Sequence, residues 1–284
     1  MRRFGAVRYA AYALLFLSMT VIFLISTFPG DRMAEMLNGR MKDVTDGALS
    51  VDSAEYVFPM SMRVTGLSAR LGGADVGLGN ATVSMGPRSL VGKDRRAGIV
   101  LNGPWGELPV TLEMTGRTWN VRGRGEGIEL SRIPGGQDLP VKLSGRLSLD
   151  VDLEVNSEGP GKISGKGNAR VEAASISGGA LDILGAGALK VTSGVVFWTI
   201  EDNLLTLGEV AIQGDVIGNA RGTALLYPSN LENSRINMTF TLRPSAASRK
   251  RLAPLFLLAG AGAKADGSIT VKVRGTFRRP KLSL

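Results

Sequence analysis

The sequence predicts a mainly β protein: an N-terminal transmembrane helix, then a large, long-stranded antiparallel sheet curled into a half-barrel or groove, with one or two short helices. Three observations lead there. Polar and apolar residues alternate over most of the chain after Ala48, the two-residue period of a strand with one dry and one wet face. Some alternating runs are very long. In VKLSGRLSLDVDLEV, Val141 to Val155, every odd position is apolar or Gly and every even one is polar. At roughly 3.3 Å per residue that run reaches about 50 Å. Finally, Tyr9 to Phe28 carries no charge and is long enough to span a bilayer as a helix.

Taken in order, residues 1–8 form a basic tail with Arg2, Arg3 and Arg8. Arginines before the apolar run 9–28 put the N-terminus in the cytoplasm and the rest across the membrane. A cleaved signal peptide would have a shorter apolar core and an Ala-x-Ala-like site after it. Residues 29–47 read as a short amphipathic helix capped by Asp31, ended by Gly47, and apolar along Met33, Met36, Leu37, Met41 and Val44. It packs on the end of the sheet or lies on the membrane surface.

Residues 48–284 read as the β-rich domain, about a dozen strands joined by short turns. Met60, Met62, Val64 and Gly66 share one face of an early strand, and Leu189, Val191, Ser193, Val195 and Phe197 one face of a later one. The long strand pairs with KISGKGNARVEA, placing a Leu-rich strand beside a Gly- and Ala-rich one. The space beside those small residues is filled by neighbours, bends the sheet, or holds a ligand. Candidate lining of that groove or core is Leu143, Leu147, Leu149, Val151, Leu153, Ile163, Val171, Met238, Phe240 and Val271. SAASRKRLAPLFLLAGAGAK breaks the alternation and reads as a helix that plugs one end of the sheet or touches membrane.

Chemistry is sparse. With no His and no Cys, Ser-His and Cys-His catalysis, disulfides and His- or Cys-based zinc sites are excluded. GRGEG and EGPGKIS lack the spacing of dinucleotide and phosphate loops and read as turns. Asp150, Asp152 and Glu154 share one strand face; a cross-strand charge ladder accounts for them better than calcium. Trp105, Trp119 and Trp198 read as packing residues or interfacial anchors. No catalytic, cofactor or metal site emerges, and the expectation is a protein that is not an enzyme. After the apolar run the chain has 31 basic and 25 acidic residues, a net of +6, which fits a mildly basic surface near anionic membranes. No basic patch with stacking aromatics points to nucleic acid.

The layout resembles the type II secretion system protein N family, which is similar to the AsmA-like proteins. The pieces that carry the likeness are the single anchor followed by FPGDRMAEML, then GALSVDSAEYVFPMSMRVTGLSARL, GIELSRIP followed by LSGRLSLDVDLEV, and the ending DGSITVKVRGTFRRPKLSL. The resemblance implies a bacterial inner-membrane protein with its bulk in the periplasm, in contact with other secretion components and without enzymatic activity. AsmA-like relatives form apolar β-grooves that hold or conduct lipid. Two functions follow. One is a non-enzymatic assembly or interaction role in type II secretion. The other is an AsmA-like lipid-binding or lipid-transfer role, with phospholipid as the partner.

Overall fold

A computed structural model describes residue 16 and residues 30–45, 47, 49–57, 60–71, 74–86, 89, 95–134, 142–156, 161–178, 181, 187–228, 233–258 and 267–283. The expected transmembrane helix, residues 9–28, lies outside them but for Phe16. Among the described residues no helix is long and apolar enough to cross a membrane.

Helix α1 (Gly30–Thr45) leads into one open antiparallel sheet. Its strands are β1 (Leu49–Ser50), β2 (Ser53–Val57), β3 (Ser61–Leu71), β4 (Ala74–Met85), β5 (Arg95–Gly103), β6 (Gly106–Thr115), β7 (Thr118–Glu129), β8 (Lys142–Asn156), β9 (Lys162–Ser177), β10 (Leu189–Glu201), β11 (Leu204–Gly214), β12 (Val216–Leu225), β13 (Arg235–Pro244), β14 (Ile269–Thr276) and β15 (Pro280–Ser283). From β3 on, each strand pairs with the next in sequence, while β1 and β2 both pair with β3. Helix α2 (Arg249–Leu258) interrupts the meander between β13 and β14. The run 141–155 thus appears, from Lys142 on, as the 15-residue strand β8, in register with β9 from Lys142 opposite Ser177 to Asn156 opposite Lys162; Val141 lies outside the described residues.

Local chemistry explains the joints. The β10–β11 turn is Asp202–Asn203, both at positive φ (47° and 71°), as a two-residue hairpin turn of the primed kind requires. Asn203 also ties neighbours together: its Oδ1 accepts the Ile163 N–H at 2.7 Å, and its carbonyl accepts the Leu226 N–H at 2.8 Å.

Helix α1 packs on the first strands through Ala34, Met33, Leu37 and Met41, against Val51, Ala54, Val64 and Ala81. Asn38 clamps the chain at Val51, accepting its N–H and donating to its carbonyl, both at 2.8 Å. Met36, expected on that apolar face, is instead 62% exposed. At about 100° per residue it lies roughly 115° from the centre of the 33-34-37-41 stripe.

Three expectations about the strands need correction. The face that begins with Met62 and Val64 does not continue to Gly66. A bulge at Thr65–Gly66 brings Leu67 and Ala69 onto it, opposite Gly79 and Val76. On β10, Leu189 and Val191 share the apolar face, but Ser193, Val195 and Phe197 do not. An irregularity crosses the sheet here, with Ala173 of β9 at φ 48° and a register shift between Val191 and Ser193 of β10 against β11, so Gly194, Val196, Trp198 and Ile200 take over. GRGEG is no turn; it lies within β7, with an irregularity between Gly125 and Ile128.

Candidate functional site

Every strand of this sheet sends one set of side chains to the same face, and on that face the set is apolar. The cross-strand register allows it to be followed row by row. From β6 to β14 one row runs Val110, Gly123, Val151, Gly167, Trp198, Leu207, Gly222, Met238, Val273. A second contains Leu147, Val171, Gly194, Ile212, Gly218, Leu242 and Ile269. Sequence alternation alone could not connect residues 150 positions apart; the unbroken meander does.

The ten residues expected to line a groove or core fall on this one face. Leu147, Leu149, Val151 and Leu153 stand opposite Val171, Ala169, Gly167 and Gly165, Val155 opposite Ile163, and Leu143 opposite Ile176. Met238 and Phe240 lie three strands beyond β10, and Phe240 faces Val271. All ten are half-buried and none is fully buried. Alternation missed Val196, Trp198 and Ile200, which the irregularity near Ala173 brings in. Because Val195, Val196, Phe197 and Trp198 are all apolar, the sequence there carried no signal of which two faced inward.

Burial is concentrated under the two helices. One buried cluster lies beneath α1. The other joins Leu252 (0% exposed) and Phe256 of α2 to Leu181 and Ile269, with Ile176, Leu189, Val216, Leu242 and Val271 around them. These last residues sit at the same ends of β9, β10, β12, β13 and β14, so α2 caps that end of the sheet. The plug expected for this segment is therefore present, over Arg249–Leu258. The opposite strand ends, at Asn156, Glu201, Leu225, Arg235 and Thr276, carry no helix among the described residues. Between the helices, full burial occurs at Ala220 and Ala224, which stand opposite Phe240 and Ile236, and at Ile200 and Val210. Neighbours on the same face supply that cover.

The glycines have mixed roles. A Cβ on Gly167 would collide with the Trp198 ring, so the indole fills that gap. Gly165, Gly214 and Gly222 have φ between 147° and 152° with a neighbouring strand backbone pressed close. They bend and tighten the sheet.

The polar face is a charge ladder, as expected. Arg122 meets Asp152 at 3.3 Å, and Asp152 stands opposite Lys166. The arginine comes from β7, and β9, the facing strand of the hairpin, contributes Lys166. Among the described residues no acidic, His or Cys cluster is arranged to hold a metal ion. Trp105 is buried over Gly103 and donates to the Leu78 carbonyl at 3.2 Å, a packing role.

One carboxylate is tuned. Asp215, the single residue between β11 and β12, accepts hydrogen bonds from Ser248 Oγ, Arg251 and the Lys190 N–H. Arg251 also donates to the Ala188 carbonyl at 2.8 Å. Burial pushes the Asp215 carboxyl upward, but hydrogen bonds from Ser248, Lys190 and Arg251, with the Arg251 charge, outweigh it and hold it below 3.8. The group latches the start of α2 to the sheet. A depressed carboxylate stabilises the fold above its unfolded value and loses that contribution as pH falls through the folded value. Asp215→Asn is expected to cost on the order of 2 kcal/mol at neutral pH. Most of the difference should vanish well below pH 3.8. Thermal melts of both proteins across that range check it.

No family model, characterised protein or solved structure matches the chain.

Proposed function

We propose that the sheet curls around its apolar face into a half-open trough and that the trough holds the acyl chains of a phospholipid. The observation that carries this reading is the apolar face itself, continuous over the meander, with all ten candidate lining residues only half-buried. Laid flat, the twelve strands β3–β14, about 38 Å long on average and spaced about 4.8 Å apart, would present about 2,000 Å² of apolar face. Soluble monomers tolerate a few hundred Å². Curling hides part of that face, and chains of lipid cover the rest. A leaflet's acyl chains reach about 15 Å, so they fit lengthwise with room to spare. Helix α2 stops one end; the other end is the way in.

The resemblance to type II secretion system protein N and AsmA-like proteins supplies the address: an inner-membrane anchor with the trough in the periplasm. The assembly role would draw on the sheet edges for strand addition. Those edges are short. β2 has five residues and β15 four, and β15 begins at Pro280 and carries Lys281, features that discourage pairing with another chain. The geometry therefore favours the trough as the working part.

A photo-reactive amino acid placed at Leu149 in the full chain, in cells, tests this. Phospholipid adducts at Leu149 and none at Ser148, which faces the other way, are expected. Adducts to protein at Leu149 would overturn the trough. If deletion of the gene then also stopped export of folded proteins, the assembly reading would lead.

A further inference from the structure

The positive charge of the chain is concentrated at its end. Residues 216–284 contain 12 basic and two acidic side chains, whereas residues 1–215 contain 22 and 23. Strands β12 to β15 carry no acidic residue at all. On their polar face Arg221 and Lys272 share one row across Thr239, and Arg274 stands opposite Lys281 in the next. All four are exposed.

At the uncapped strand ends this basic face gains an apolar fringe. Leu204 of β11 pairs with Leu225 of β12, Leu225 with Arg235, and Arg235 with Thr276. Phe277, Arg278 and Arg279 follow in the bend to β15. Leu204 is 44% exposed, Leu225 37% and Phe277 48%, with Arg235, Arg278 and Arg279 exposed beside them. Arginines interleaved with projecting aliphatic and aromatic tips are the chemistry of an interfacial contact: cations meet anionic headgroups while the tips enter the headgroup–acyl boundary. A surface for single-stranded nucleic acid would need a platform of stacking aromatics. Here two of the three tips are leucines.

We propose that this corner, at the uncapped ends of β11–β15, docks the protein onto an anionic bilayer surface. The docking deepens the trough reading and rests on it only for its consequence, that lipid enters at the end held against the membrane.

The chain has no cysteine, so Phe277→Cys gives a single site for an apolar fluorophore on the full-length protein. The labelled protein is reconstituted in phosphatidylcholine vesicles or in vesicles that also contain phosphatidylglycerol. Spin-labelled quencher lipid is placed in the host bilayer or in added vesicles. Quenching is expected only with phosphatidylglycerol, and its loss is expected at about 1 M salt, where the screening length is near 3 Å. Each basic side chain at an anionic surface is worth roughly fivefold in binding. Arg278→Glu together with Arg279→Glu should therefore weaken docking about 25-fold or more, with the circular dichroism spectrum unchanged. Equal quenching in both lipid compositions overturns the proposal. So does shielding of the label by polyglutamate but by no bilayer, which would give the surface to an acidic protein. Phospholipid adducts at Leu149 report on the trough separately. Their persistence without docking would remove this inference and leave the trough standing.

Discussion

Leu149→Glu is expected to leave the protein folded and to empty it of phospholipid. Leu149 sits mid-face, opposite Ala169 of β9, which in turn stands opposite Val196 of β10. It is half-buried. In a closed core, an unpaired carboxylate at such a position would cost several kcal/mol and would unfold a marginal domain. On a face that opens to solvent once lipid leaves, the carboxylate reaches water and the cost of folding is small. The cost falls on the occupant. An acyl chain laid over a charge must either strip its water or retreat, a penalty of about 2–3 kcal/mol on the scale of a buried polar group. That is roughly 30- to 150-fold in retention. The expected result is a melting temperature within about 5 °C of the parent, with co-purified phospholipid reduced at least tenfold. A mutant that fails to fold would mean that the face is a packed core. A mutant that folds and retains its lipid would mean that the lipid lies elsewhere.

What the sequence made legible follows from where each signal is local. Strand identity is local: the period of two in 141–155 needs no partner, and β8 appears with nearly those bounds. Helix α2 was equally legible, because SRKRLAPLFLL breaks the period outright. The shared face of Leu149 and Phe240 is not local, but a meander of short connections preserves it, so alternation carried the candidate lining to one side of one sheet. The misses have one cause. An irregularity shifts the parity by one residue, and nothing in SGVVFWTI, apolar on both faces, reveals it. Met36 failed for a related reason. The helix face is centred by what it packs on, and Ala34 and Asn38, two small residues with little hydrophobic signal, occupy the contact. The Asp215 latch joins three segments far apart in the chain, and no spacing in the sequence announces it. The corner charge was present in the composition, but averaging over the near-neutral first three-quarters hid it until the register placed Arg221, Lys272, Arg274 and Lys281 on nearby strands.

The second large effect is expected from Gly222→Ala, and its contrast is Gly123→Ala in the same cross-strand row. Both glycines face the apolar side, and both look interchangeable in sequence. Gly123 has ordinary backbone angles, and the nearest atom to an added Cβ is Val110 Cγ2 at 3.6 Å, a normal contact. Its substitution should change stability by no more than about 0.5 kcal/mol. Gly222 has φ 152°, and an added Cβ would lie 2.6 Å from Met238 Cα and against the Asn237 carbonyl. The obstacle is backbone, which no rotamer change can move. The alanine must either adopt a conformation that costs about 1–3 kcal/mol or push β13 from β12 and break their hydrogen bonds. A single sheet has no second layer to hold the parted strands, and beyond β13 lie α2, β14 and β15. A loss of about 3 kcal/mol or more is therefore expected, with amide exchange rising first over residues 235–283 and the β7–β9 region staying protected. Equal effects of the two alanines would show that β12 and β13 do not approach as closely as this register requires, and the rows that define the apolar face would have to be redrawn beyond β12.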